Sequence, residues 1–306
     1  MGHRALLGGG KASRRRATAL LSLGSNAGHD VAVLLSAKLA PTFEYPVLEE
    51  FWRSADELGF HAVWDYDHFY GLTDPDGPSF EGWTALAAMA VVIRTARIGC
   101  MVTGVTYRNP AMLAKMAVTV DHISGGRLEF GIGAAWHEPE HRGYGIDFPS
   151  PGTRVAMLDE ALTAIRMLWT QDTTTLDGRF FSLDEARCVP KPVQQPHPPI
   201  VVGGTQPKML RVIARHANEW NTPGLAGPEE WSRVNKQLDE ACAEVGRDPG
   251  EVRRSVQLFL HPAQEGQVDA LLSQLPVYEQ AGCAHVVLSF YQPPTLQQLE
   301  RCASLR

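Results

Sequence analysis

From residue 31 onward the chain repeats one pattern: a short apolar run, a loop rich in Gly, Pro or Asp, then a segment whose apolar residues recur at helical spacing. A helix between two strands returns the chain to the end of the sheet where it started, so successive strands lie parallel. Strands are expected at 31–35, 61–64, 98–102, 127–132, 200–202, 219–222, 254–260 and 285–289. The helices between and after them fall near 46–58, 81–95, 110–123, 155–170, 206–216, 228–245, 267–281 and 295–305. Eight strand–helix units in roughly 275 residues, with no internal repeat or dividing linker, predict a single α/β domain over 30–306, a (β/α)8 TIM barrel. An open doubly wound sheet would require discarding two or three of the runs. The pattern is interrupted by two insertions. One follows strand 4, as an irregular stretch to residue 151. The other precedes strand 5, where Asp177-Gly178 signals a hairpin and Pro190, Pro192, Pro196, Pro198 and Pro199 mark an extended connector.

Residues 1–29 do not share this pattern. They carry Arg4, Lys11, Arg14, Arg15 and Arg16 and no acid, a local charge of +5 that leaves −11 on the rest of a chain whose formal net charge is −6. The arginine run faintly resembles an export signal, but Thr18 and Ser22 interrupt the apolar stretch and no small-residue cleavage site closes it. The segment reads as a disordered extension outside the fold. A mildly acidic balance excludes general attraction to nucleic acid or an anionic membrane. No run approaches the ~18 consecutive apolar residues of a membrane-spanning helix. Five cysteines, at 100, 188, 242, 283 and 302, form no C-x-x-C pair and fit the reduced thiols of a cytoplasmic protein.

In such a barrel the chemistry lies at the C-terminal ends of the strands. Those positions are Ala40, Pro41 and Thr42; Asp65, Asp67 and His68; Val102, Thr103 and Gly104; Gly131, Gly133, Trp136 and His137; and Gly203, Gly204 and Thr205. Most are small, uncharged or aromatic, so a bound cofactor is expected to carry the reaction. His68, next to Asp67, is the candidate proton donor or acceptor. Gly203-Gly204-Thr205 ahead of a helix combines free backbone N–H groups, a hydroxyl and the positive helix end, a recipe for holding phosphate; Thr205 as a plain N-cap is the competing use. Gly131-Ile132-Gly133-Ala134-Ala135-Trp136 opens like a dinucleotide fingerprint but has Trp where a third glycine belongs. Its glycines are expected to admit a flat ring, with a tight turn as the alternative. His137-Glu138-Pro139-Glu140-His141 spells the zinc-hydrolase string, yet Pro139 argues against the continuous helix that string requires. No metal site is expected there, and the segment reads as a polar, solvated loop over the barrel mouth.

Several strings resemble the luciferase-like monooxygenase superfamily, in that family's order, from about residue 31 to 221. They are Glu57-Leu58-Gly59-Phe60, Trp64-Asp65-Tyr66-Asp67-His68-Phe69, Arg97-Ile98-Gly99, Tyr107-Arg108-Asn109-Pro110-Ala111 and Asp121-His122-Ile123-Ser124-Gly125-Gly126-Arg127. The glycine string of strand 4, Tyr144-Gly145-Ile146-Asp147-Phe148-Pro149, Pro190-Lys191-Pro192-Val193-Gln194 and Gly203-Gly204 continue the resemblance. Within the superfamily the chain looks most like the branch that uses the deazaflavin coenzyme F420, with FMN as the alternative cofactor.

The resemblance implies a ring at the C-terminal mouth, against a non-proline cis peptide at Met101-Val102, with Met101, Val102, Thr103, Gly133, Ala134 and Trp136 around it. It also implies Asp67 and His68 as the catalytic pair, and Gly203, Gly204 and Thr205 at the phosphate, with Arg108 and Lys191 toward the anionic tail. Some sugar-phosphate dehydrogenases of the family carry an acid after the strand-4 glycines where this chain has Trp136, the nearest acids being Glu138 and Glu140. The implied activity is hydride transfer between the deazaflavin C5 and a small organic substrate entering beneath the 69–80 loop and the 136–149 segment. An FMN monooxygenase, a zinc hydrolase and a non-catalytic flavin- or deazaflavin-binding barrel are the other readings. Family members are commonly dimers, and a homodimer is the assembly this implies.

Overall fold

The computed structural model describes residues 33–72, 74–222, 227–261 and 266–304, so the expectation for 1–29 lies outside the described residues. The first half runs β1 (Leu34–Leu39), α1 (Tyr45–Glu57), β2 (Ala62–Asp65), α2 (Gly82–Val92), β3 (Arg97–Cys100), β4 (Thr103–Gly104), α3 (Pro110–Ser124) and β5 (Leu128–Gly133). There follow α4 (Glu138–Tyr144), α5 (Pro151–Thr170), an antiparallel hairpin of β6 (Thr174–Asp177) and β7 (Ser182–Ala186), β8 (Ile200–Gly203) and α6 (Pro207–His216). The chain continues through β9 (Glu219–Thr222), α7 (Pro228–Glu244), β10 (Arg253–Leu260), α8 (Gln267–Leu272), α9 (Leu275–Gln280), β11 (His285–Phe290) and α10 (Leu296–Ala303).

The sheet closes on itself. β3 and β4 are two halves of one stave, each paired to β5, and the order β3-β2-β1-β11-β10-β9-β8-β5 returns to β3 with every pairing parallel. This is the expected eight-stave barrel, with the helices outside it. Local chemistry explains the helices: α1 buries Leu48, Phe51, Trp52 and Ala55 on one face. Asn109 accepts the Ala111 N–H at 2.9 Å, Pro110 opens α3, and Gly125 ends it at φ 66°. Among the described residues no helix is long and apolar enough to cross a membrane, and all five cysteines are free and buried.

Three expectations need correction. β1 occupies 34–39, not 31–35, because Ser36 and Lys38 interrupt the apolar run while pointing into a partly polar barrel interior. Helix 267–281 divides into α8 and α9, since Pro276 in the first turn of α9 has no N–H to continue a helix from α8. The expected solvated loop after β5 contains α4, with Glu140 and His141 fully buried. Pro139 sits in the first turn of α4, where its missing N–H costs nothing.

Inside the barrel, Trp64 is fully buried with Ala62, Met101, Val201 and Val287. Room for its ring comes from Gly99, where an added Cβ would collide with the indole. Gly131 serves the barrel wall as well, since a Cβ there would collide with the Cys100 carbonyl of the neighbouring strand.

Candidate active site

The C-terminal ends of the staves enclose a cavity of ≈ 690 Å³, within the ordinary range for small-molecule sites. Asp67, His68, Met101, Val102, Thr103, Gly133, Ala134, Trp136, Gly203, Gly204 and Thr205 line it, with Ala40, Thr42 and Gly104, whereas Pro41, Asp65, His137, Arg108 and Lys191 do not. The Met101-Val102 peptide is cis, as the resemblance implied. Gly131 does not line the cavity; Gly133 does, and a Cβ there would stand 2.9 Å from Val102 Cγ2. Ala135 takes a left-handed φ of 59° as the chain leaves β5, and Trp136 follows at the rim, 63% exposed.

His68 and Asp67 have different surroundings. The buried Asp67 carboxylate accepts bonds from the Thr103 hydroxyl and from both terminal nitrogens of Arg108, whose NH2 stands 2.9 Å from Oδ1. Arg108 is also bonded to Glu81. Asp67 is therefore fixed in an ion-paired brace between β2, β4 and the start of α2. The same brace engages the Arg108 guanidinium with Asp67 and Glu81, outside the cavity lining, which does not fit the expectation of Arg108 at an anionic tail. Lys191 is equally removed: its amine donates to the carbonyls of Leu168 and Gln171.

His68 is held by a residue to which the sequence assigned no such role. Glu140, from α4, lies 3.0 Å from His68 Nδ1 and also accepts the Phe69 N–H at 3.1 Å and the Tyr107 hydroxyl at 2.7 Å. Burial disfavours the charged carboxylate, but these bonds outweigh it and lower its pKa to about 2. An ionised carboxylate only accepts, so Nδ1 must carry the hydrogen. Nε2 makes no hydrogen bond among the described residues, and the ring lines the cavity. Trp136 and Tyr66 stand edge-on to the imidazole at 5.5 and 4.8 Å between centroids.

The donor atoms of His68, His137 and Glu140 lie within 4.8 Å of one another, close enough for a metal ion. The hydrogen-bond geometry favours another role, since the Glu140 oxygens are already engaged by His68, Phe69 and Tyr107. The two histidines of the zinc-like string do not converge either: His141 turns to Thr106, 2.7 Å from its hydroxyl, and to the His137 carbonyl.

The floor holds a second unanticipated group. Lys38 Nζ donates to the Met101 carbonyl and to Gln257 Oε1, both at 2.8 Å. Gln257 donates to Asn221, Asn221 to Ser255, and Ser255 to the Trp220 carbonyl, a chain of bonds across the barrel. Burial lowers the Lys38 pKa to about 8, against the opposing pull of the neighbouring Cys100 and Asp65. No apolar-run or motif argument finds such a residue, because it lies inside a strand.

At the opposite end, the Gly204 N–H is taken by the Asn221 carbonyl at 3.3 Å. Thr205 is not the N-cap: that position falls to Gln206, whose side chain makes no capping bond, so no side chain caps the first turn of α6.

A closed parallel barrel with a carboxylate-held imidazole in a largely apolar mouth is the architecture of an enzyme working at the C-terminal face. The chain matches the luciferase-like monooxygenase family over residues 24–293, and it belongs to that family. Among its relatives, an uncharacterized protein of Mycobacterium tuberculosis is 37% identical over 173 residues, 56% of this chain and 58% of that one. A phthiodiolone/phenolphthiodiolone dimycocerosates ketoreductase of Mycobacterium tuberculosis is 32% identical over 239 residues, 72% of this chain and 61% of that one. The chain thus spans about three fifths of the length of these relatives. Among solved structures, an F420-dependent secondary alcohol dehydrogenase in complex with an F420-acetone adduct superposes with a TM-score of 0.79 at 19% identity, over 90% of this chain and 98% of the other.

Proposed function

We propose that this protein is an F420-dependent oxidoreductase that interconverts a secondary alcohol and a ketone. The observation that carries the reading is the Glu140–His68 pair, with Nε2 free toward the cavity. The residues present also fit a planar coenzyme with an anionic arm. Gly133 and Gly203 leave the wall open, and a Cβ built at Gly203 meets nothing nearer than 3.8 Å. The uncapped first turn of α6 beside Thr205 suits a phosphate. The ketoreductase relative and the alcohol dehydrogenase fold neighbour support the carbonyl–alcohol chemistry.

When bound, the coenzyme supplies a carbon that accepts or donates a hydride and resists one-electron chemistry. The protein handles the proton. In the oxidising direction His68 Nε2 would take the proton of the substrate hydroxyl, and the imidazole would become charged. Glu140 stabilises that charge and keeps Nδ1 protonated throughout. In the reducing direction Nε2–H returns the proton to the carbonyl oxygen. Asp67 acts as a positioning residue, anchoring the end of β2 through Arg108. Apolar walls exclude water from the reacting atoms.

Titrating the full chain with F420 and with FMN, following ring fluorescence, tests the coenzyme: F420 should saturate and FMN should bind weakly. His68→Ala should lower turnover roughly 10²–10⁴-fold while F420 affinity stays within a few-fold. Unchanged turnover would remove His68 from the chemistry, and preference for FMN would move the protein to the oxygen-using branch of its family.

A further inference from the structure

The charge inventory of the cavity bears on what the substrate is. Among the described residues lining it, the side chains able to carry positive charge are Lys38 and His68. Neither is left over for an anionic group at the far end of a substrate whose oxygen meets His68. Lys38 is 7% exposed and already donates to Met101 and Gln257. His68 Nδ1 is tied to Glu140, and its Nε2 is the atom that meets the reacting oxygen. Glu140 adds negative charge nearby and Asp67 is already paired with Arg108, so a phosphate or carboxylate at this end would lose its water without gaining a charged partner. The phosphate-suited end, at Thr205 and α6, is the end the coenzyme arm requires.

The walls have the opposite character. Leu72, Trp136 and Tyr291 stand at the rim with 44%, 63% and 37% of their surface exposed. Tyr291 stacks on Phe259 at 5.4 Å and on His261 at 4.1 Å, which stiffens that side of the mouth. Trp136 stands edge-on to His68 itself. A molecule presenting a carbon–oxygen group to His68 Nε2 therefore lays its remaining atoms along exposed apolar surface, which is stabilised by being covered.

Resting on the oxidoreductase reading, we propose that the substrate is an uncharged ketone or secondary alcohol with a hydrocarbon chain that lies between Trp136 and the Phe259–Tyr291 wall. Sugar phosphates and other anionic substrates are selected against by the missing counter-charge. Trp136 and Tyr291 thereby determine specificity for chain length.

The test is calorimetric titration of the coenzyme-free full chain with 2-butanone, 2-hexanone, 2-octanone, the carboxylate-ended 7-oxooctanoate, and glucose 6-phosphate. Kd should fall roughly three- to four-fold per added methylene until the wall is covered. 7-Oxooctanoate should bind at least ten-fold more weakly than 2-octanone, and glucose 6-phosphate should not bind. In Trp136→Ala and Tyr291→Ala the dependence on chain length should flatten, and in Tyr291→Ala 2-butanone affinity should stay within about three-fold. A Kd independent of chain length, or an anion bound as tightly as the neutral ketone, overturns the proposal. These titrations contain no coenzyme, so failure of F420 to bind in the separate experiment removes the oxidoreductase reading without altering this result.

Discussion

Lys38 holds an amine on the cavity floor where burial opposes its charge, and its pH behaviour follows from that. The unfolded chain keeps the proton up to about 10.5, whereas the folded protein releases it at about 8. Between those values the unfolded state binds more protons, so this group makes stability rise with pH; below 8 both states are protonated and the penalty is constant. From pH 8 to 10.5 the unfolding free energy of the wild type should therefore gain on the order of 3 kcal/mol relative to Lys38→Met. Urea unfolding of both proteins at pH 7.5, 9 and 10.5 measures this, and a constant difference would show that Lys38 titrates as though solvated. The residue also marks the limit of sequence reading. His68 was legible because a polar residue at a strand end is conspicuous. Lys38 was not, because the apolar run ends at 35 and left it outside the expected strand, whereas β1 extends to Leu39. Glu140 was obscured by Pro139, which breaks a helix in its interior but not in its first turn.

β5 shows how one string serves two purposes. Its glycines were all expected to form a wall for a ring, yet Gly131 permits the close approach of the β3 backbone, while Gly133 faces the cavity. Spacing along the strand cannot separate these roles, because residues two apart share a face and differ only in depth. Substitution can. Gly131→Ala should cost at least ~3 kcal/mol or abolish folding, since a rigid backbone carbonyl rather than a flexible side chain occupies the Cβ position. Gly203→Ala should leave the melting temperature within a few degrees, because its Cβ meets only ordinary contacts, and should weaken F420 binding at least ten-fold. Thermal unfolding together with coenzyme titration separates the two variants. Equal thermal losses in both would mean that the distinction between wall packing and cavity lining is misdrawn.

For the whole molecule, eight regular beats made barrel closure legible, because each helix must cover the sheet and only a closed ring pairs every stave. The outer surface carries a further consequence. α2 has no charged residue, and while Trp83, Leu86, Met89 and Ala90 face inward, Val91 remains 72% exposed. Its neighbour α3 leaves Met112 61% exposed. Exposed apolar helix surface of this kind is stabilised by being covered, and a second copy of the chain offers the same Val91 and Met112 about a twofold axis. We therefore expect a homodimer packed through α2 and α3. Sedimentation velocity at micromolar concentration should give a dimer for the wild type and a monomer for the double variant Val91→Glu, Met112→Glu. The far-UV spectrum of the variant should be unchanged, since neither side chain supports the core. A monomeric wild type, or a dimer untouched by both charges, would assign this apolar surface to something other than self-association.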